Sequence, residues 1–215
     1  MTLTADSPLQ RYGARRRVIA ITGGIGSGKS VVSAVLHAMG YEVVDCDTVA
    51  RGIMDTDPAI HARLCAEIDE RAVVDGVVNR RRISRIVFSD ADKLARLNAI
   101  VHAAVRRVIE QRAVDPCAAP LFFETAILYA SGFDALADAV WQVTAPIDVR
   151  VRRVVKRSAL TADEVMVRIR AQSAEESAEE SAAGGNVSSI VNDDTVAILP
   201  QLLELLRRQG LMRES

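Results

Sequence analysis

Residues Gly23-Gly24-Ile25-Gly26-Ser27-Gly28-Lys29-Ser30 spell G-x-x-x-x-G-K-S, a spacing that suits polyphosphate binding. Glycines admit positive φ, so the backbone can turn its N–H groups inward around phosphate oxygens. The set expected around the phosphates is Gly24, Ile25, Gly26, Ser27, Gly28, Lys29, Ser30 and Val31. Lys29 can reach the β- and γ-phosphates, and the Ser30 hydroxyl can ligate Mg²⁺. Further along stand Asp45 and Asp47, then Glu124, then Arg153 and Arg157 four residues apart. A kinase acting on an alcohol needs a carboxylate to orient the hydroxyl and accept its proton, and cations to neutralise the moving phosphoryl group. Asp47 suits the first task and equally suits capping a helix over 48–54. Glu124 can anchor Mg²⁺ through water, hold substrate, or open a helix. Arg153 and Arg157 share a helix face and suit phosphate oxygens, although Arg150, Arg152 and Lys156 nearby include a solvated basic face.

The elements around these residues are those the chemistry requires. Val18-Ile19-Ala20-Ile21 reads as a buried parallel strand, and apolar residues at 31, 32, 35, 36 and 39 mark a helix that stops at Gly40. Strand, glycine loop and helix in that order are the context that gives the motif meaning. Tyr41–Asp45 reads as a second strand, Leu121-Phe122-Phe123 as a third, Val140–Val143 as a fourth and Ile190-Val191 as the last. A long amphipathic helix begins at Asp90, Thr161-x-x-Glu164 is a capping box, and 195–208 forms a closing helix. Alternating strands and helices imply an α/β fold, a parallel sheet covered by helices on both faces. Residues 47–119 carry no convincing strand and read as a helical insertion able to close over a second substrate. Residues 1–16, polar and ending in basic residues, read as a flexible arm.

Composition narrows the function. A net charge of −1 and 4% aromatic residues disfavour a nucleic-acid binder. Three separated cysteines fit free thiols in a reducing compartment, and no apolar run approaches membrane-spanning length. A soluble cytoplasmic protein with no nucleic-acid or membrane partner is expected, and the sequence assigns no oligomeric state. His37 and His61 read as surface or packing residues.

Four segments together carry a family resemblance: Ala20–Ser30, Val44-Asp45-Cys46-Asp47-x-x-Ala50-Arg51, Leu97-Asn98-x-x-Val101-His102, and Pro120–Glu124. They resemble the dephospho-coenzyme A kinases over about residues 17–209. The resemblance implies an ATP-dependent kinase of the P-loop fold with Mg²⁺, using dephospho-coenzyme A as acceptor. It implies that Asp47 orients the hydroxyl as base, that Arg51 neighbours the acceptor, and that His102 and Glu124 line the acceptor pocket. Arg153 and Arg157 become lid arginines, with Lys29 the catalytic cation of the loop. The implied organisation is a kinase domain over 17–209, with an acceptor-binding insertion at 47–119, a lid at 147–187 and a tail at 210–215. Arg168, Gln172 and Asn192 match later positions of the pattern. The chain departs from the family at Val31 and Ala103, and in a tandem Ala-Glu-Glu-Ser over 174–181 that reads as a solvated helix end or loop. Two other readings are another small-molecule P-loop kinase and a nucleotide-binding member without catalysis. A GTPase switch is disfavoured because neither N-K-x-D nor D-x-x-G occurs.

Overall fold

A computed structural model describes residues 15–114, 119–183 and 186–212, the side chains of 173–183 excepted. The chain divides into two compact units, one built from residues up to Val44 and from Arg112 onward, the other from Asp45–Gln111. The first holds the parallel sheet. Its strands are β1 (Val18–Thr22), β2 (Glu42–Asp45, whose last residue opens the second unit), β5 (Leu121–Glu124), β6 (Ala139–Thr144) and β7 (Val187–Val191). They lie in the order β2-β5-β1-β6-β7. β1 pairs in parallel with β5 on one side and β6 on the other, and β6 pairs in parallel with β7. Every residue of β1 is buried, which its unbroken apolar run requires of a strand covered on both faces.

The helices of this unit are α1 (Lys29–Ala38), α6 (Ile147–Arg157), α7 (Ala162–Ala183) and α8 (Ile198–Arg208). Val32 and Leu36 of α1 and Leu202, Leu205 and Leu206 of α8 pack with Ile19, Ile21, Phe122, Trp141 and Ile190 in one core. Phe122 stands between Tyr41 and Trp141, with ring centroids 5.4 and 5.1 Å away. The polar ends of those aromatics are also used: Trp141 Nε1 donates to Gln209 and the Tyr41 hydroxyl to the carbonyl of Leu211. The predicted capping box is present, with Thr161 N–H donating to Glu164 and Glu164 N–H to the Thr161 hydroxyl. α7 runs on through the Ala-Glu-Glu-Ser tandem to Ala183, the helix-end alternative for that segment.

The flexible arm was expected to reach residue 16. Residues 1–14 lie outside the described residues, but Arg15 and Arg16 are fastened. Both terminal nitrogens of Arg15 donate to the Asp138 carboxylate at 2.8 and 2.7 Å. Arg16 is buried, pairs with Glu42 and donates Nε to the carbonyl of Arg112. An arginine triplet reads as solvated only until its acceptors, which lie far away in sequence, are brought beside it.

The second unit is mostly helical: α2 (Cys46–Thr56), α3 (Pro58–Glu67), α4 (Arg80–Ser89) and most of α5 (Ala91–Ala113), which runs on into the first unit. Ile60, Leu64, Ile83, Ile100 and Ala104 form its core. It also contains strands, contrary to expectation. β3 (Val73–Val74) and β4 (Val77–Val78) pair antiparallel across Asp75-Gly76, whose φ values are 51° and 75°. Asp-Gly between two valine pairs is the signature of a two-residue hairpin turn needing positive φ at both positions; two-residue strands are too short for an alternating pattern to show. Asp69 anchors the neighbouring chain. The Arg82 fork at 2.5 and 2.9 Å and the N–H of Arg71 stabilise its charged form, holding its carboxyl down at about 2.

A Cβ added at Gly76 would meet nothing within 4 Å, so a substitution there reads backbone conformation alone. Gly76→Ala should lower unfolding free energy by about 1 kcal/mol and Gly76→Asn by less, because asparagine tolerates the left-handed region. Urea denaturation of the three proteins measures this, and equal stability of all three would contradict the turn.

Candidate active site

The phosphate loop leaves the C-terminal end of β1, where open α/β sheets bind ligands. Its glycines are required twice over. Gly23, Gly26 and Gly28 have φ of 143°, 79° and 93°, a region costly for residues with a Cβ. The space is also taken: a Cβ would lie 2.3 Å from the Val143 carbonyl oxygen at Gly23, 2.7 Å from the Arg150 carbonyl oxygen at Gly26 and 2.0 Å from Asn192 Nδ2 at Gly28.

Three successive loop carbonyls are held by side chains. Arg150 Nε donates to Ile25 O at 2.9 Å, Arg153 Nη1 to Gly26 O at 3.4 Å and Ser27 O at 3.3 Å, and Asn192 Nδ2 to Ser27 O at 2.8 Å. In a planar trans peptide the N–H points opposite to the C=O. The amides of Gly26 and Gly28 are thus aimed away from these side chains, and neither finds an acceptor among the described residues. α1 follows with no side-chain cap and no acid in its first turn, whereas α2, α3 and α4 are capped by Asp45, Asp57 and Asn79. Two unsatisfied amides and an uncapped helix N-terminus suit an anion. Lys29 Nζ donates to Gly23 O at 2.6 Å, across the loop it serves. Ile25 packs its side chain against Val154, Val165 and Ile169, and its N–H donates to Gln172 Oε1 at 2.7 Å. Val31 is exposed.

The exposed Ser30 hydroxyl has no hydrogen-bond partner among the described residues. Glu124 ends β5, beside Ile21 of β1 in the parallel register, and accepts from the Ser33 hydroxyl of α1 at 2.6 Å. No cluster of three metal-ligating side chains exists among the described residues. A Mg²⁺ that keeps most of its shell as water and phosphate oxygens needs no such cluster, so a single free hydroxyl fits.

Arg153 and Arg157 differ sharply. Arg153 also donates to Asn192 Oδ1 at 3.1 Å and pairs with Asp194, so both its terminal nitrogens are engaged. Arg157, one turn on, is exposed and has no partner among the described residues. Arg150, grouped by sequence with a basic face, belongs to the loop's support. Its spacing from Arg153 (i, i+3) could have placed it on the same helix face.

In the second unit, the helix after β2 is capped by Asp45, not Asp47. The Asp45 carboxylate accepts from the N–H groups of Asp47 and Thr48 and from the Thr48 hydroxyl at 3.0, 3.1 and 2.7 Å. α2 starts at Cys46, two residues before the expected 48–54, so Asp47 sits inside its first turn, exposed, its carboxylate without a partner among the described residues. Arg51, one turn on, donates Nε to the Asp47 carbonyl at 3.1 Å. His102 lies half-buried on α5; burial and then the nearby Arg106 push its pKa down, favouring the neutral ring. His37 is exposed, and His61 shares a hydrogen bond with the Met54 carbonyl at 2.9 Å. Cys46 and Cys65 form no disulfide among the described residues, and Cys117 lies outside them. No helix among the described residues is long and apolar enough to cross a membrane.

Known proteins resemble this chain over most of its length. The dephospho-CoA kinase family profile matches residues 17–196. A dephospho-CoA kinase of Bacteroides fragilis is 35% identical over 189 residues, covering 87% of this chain and 90% of that one. One from Thermus thermophilus is 42% identical over 160 residues, 74% and 76% of the two chains. A crystal structure from Thermus thermophilus superposes with a TM-score of 0.74 at 35% identity, covering 91% of this chain and 98% of that one. The shikimate kinase of Acinetobacter baumannii, at 12% identity and a TM-score of 0.52 over 95% and 100% of the chains, shares the fold. With a parallel sheet, a phosphate loop built as a P-loop must be and relatives matched along most of their length, this chain belongs to the dephospho-CoA kinase family.

Proposed function

We propose that this protein transfers the γ-phosphoryl group of ATP to the ribose 3′-hydroxyl of dephospho-coenzyme A, giving coenzyme A and ADP, the last step of coenzyme A biosynthesis. The observation that carries this reading is the loop with its carbonyls held back and the amides of Gly26 and Gly28 presented, in a chain of this family. The β- and γ-phosphates lie along Gly24–Val31, against those amides and the N-terminus of α1. Lys29 exchanges its bond to Gly23 O for phosphate oxygens. The Ser30 hydroxyl is the protein ligand for Mg²⁺, which neutralises charge on the β- and γ-oxygens when bound.

Asp47 accepts the proton of the 3′-hydroxyl as the new O–P bond forms and the bond to the leaving ADP breaks. Capping by Asp45 supports this, because it leaves the Asp47 carboxylate uncommitted. Arg51 and His102, in an acceptor-binding region over 47–119, contact the acceptor together with Glu124 at the end of β5. With its pKa pushed down, His102 serves as a neutral hydrogen-bonding partner for the nucleotide portion. Within a lid spanning 147–187, Arg157, exposed and without a partner among the described residues, meets the transferring group. Arg153, also expected there, already serves the loop. The reaction is placed in the cytoplasm, a reducing compartment that suits the free Cys46 and Cys65.

A coupled assay of ADP release should show turnover with dephospho-coenzyme A and none with shikimate or nucleosides; the reverse preference would overturn the acceptor assignment. Lys29→Ala should abolish turnover and weaken ATP binding while the protein still folds, since Lys29 lies outside the apolar core. Asp47→Asn should cut kcat by at least ~10²-fold, as loss of a general base does, with ATP affinity and stability unchanged. Asp45→Ala should instead lower stability by about 1 kcal/mol through the lost cap. Single-turnover kinetics beside thermal melts separate the two. Arg157→Ala should reduce kcat by up to ~10³-fold while barely altering ATP binding, and equal losses in both would remove it from the transition state.

A further inference from the structure

Asp194 stands just past the last strand of the sheet and outside the residues assigned to the reaction. It is one of two residues other than glycine with positive φ among those described, at 71°. In that conformation its carboxylate takes two arginines of α6: Arg152 Nη2 donates to Oδ2 at 2.8 Å and Arg153 Nη2 to Oδ1. The contacts of Arg153 then divide cleanly. Nη2 is held by Asp194 and Asn192, while Nη1 is left to the carbonyls of Gly26 and Ser27. Those carbonyl bonds are long, 3.4 and 3.3 Å, so by themselves they orient a flexible side chain weakly. The charge-assisted pair fixes the fork, and the fork sets where the two loop carbonyls point.

We propose that Asp194 is a positioning residue for nucleotide phosphate binding, acting through Arg153 to hold the Gly26 and Ser27 carbonyls outward and so aim the Gly28 amide at the phosphates. It touches no substrate. The peptide joining Ser27 to Gly28 is planar, so its carbonyl can stay with Arg153 and Asn192 only while its N–H faces the opposite side. A loop set in advance loses less conformational freedom when the anion binds. Asn192 does not hold this arrangement independently: it reaches Ser27 O, but its own Oδ1 accepts from Arg153 Nη2 at 3.1 Å, so its orientation also follows the fork. The reading rests on the P-loop binding ATP phosphates as proposed above, and the experiment separates the two.

Asp194→Gly makes the test informative, because glycine adopts φ near 71° without strain. The variant should fold with an unchanged or higher melting temperature. Calorimetry should show ADP bound about five- to tenfold more weakly, as expected for a lost charge-assisted contact, and adenosine, which lacks phosphates, bound as before. Arg153→Gln should weaken ADP to a similar degree, and the double variant should be no weaker than either single one, the non-additivity of residues acting as one unit. Asp194→Glu should recover part of the affinity. Wild-type ADP affinity in Asp194→Gly would overturn the inference while leaving the kinase reading intact, as would tighter binding, which would make Asp194 a competitor for Arg153. Additive losses in the double variant would show that Asp194 does not act through Arg153. A wild-type protein that fails to bind ADP would overturn both.

Discussion

Where the carbonyls of residues 25, 26 and 27 point decides what the phosphate loop can do, and much of the first unit serves to keep them pointing outward. A glycine-rich loop is among the most mobile segments a chain can contain, because glycine loses the most conformational freedom on ordering. Here that freedom is removed from outside. β6 delivers α6, and α6 presents Arg150 and Arg153 to Ile25, Gly26 and Ser27. β7 delivers Asn192 to Ser27 O. β1, fully buried between β5 and β6, fixes the start of the loop. The parallel sheet is therefore more than a platform. Its strand order brings Arg150, Arg153 and Asn192, each more than a hundred positions away, to three successive peptide groups of the loop.

The same constraint explains which parts of the site were legible in the sequence. The loop, its strand and its helix are local, and their glycine spacing and apolar runs fixed both place and purpose. The strands around Phe122 and Trp141 announced themselves by burial, and the capping box at Thr161 by two residues three apart. What could not be read were the partners. Arg150 looked like one of several basic residues on α6, and Arg16 like the end of a loose arm, because their acceptors lie 125 and 26 residues away. The hairpin at 73–78 is absent from that reading for another reason: its strands are two residues long, and its one local signal is Asp75-Gly76.

Asp45 and Asp47 show how local geometry commits one of two identical side chains and leaves the other uncommitted. Asp45 ends the second strand and Asp47 lies two residues beyond it, and composition could not choose between them. Asp45 retains an extended backbone at φ −80° and ψ 105°, so its carboxylate can fold back onto the N–H groups of Asp47 and Thr48. Asp47, inside the first helical turn, cannot reach those groups. The helix dipole still favours a negative charge at its position, which steadies the carboxylate without using up its lone pairs. A base must be fixed and yet have an acceptor site open. The first turn of a helix already capped by its neighbour meets both conditions.

The arginines of α6 follow a similar division, set by helical spacing. Residues 150 and 153 are three apart and share the face turned to the loop, while Arg157 lies one turn beyond Arg153. The loop offers α6 three carbonyls, and Arg150 and Arg153 take them. Moving Arg153 onto a phosphoryl group would release the Gly26 carbonyl, which has no other side-chain donor among the described residues. The loop would then loosen at the moment it must hold the nucleotide most firmly. Arg157 carries no such obligation. Its exposed guanidinium can meet developing charge without disturbing a bond that binding depends on, so in the proposed mechanism positioning and charge neutralisation fall to different arginines of one helix.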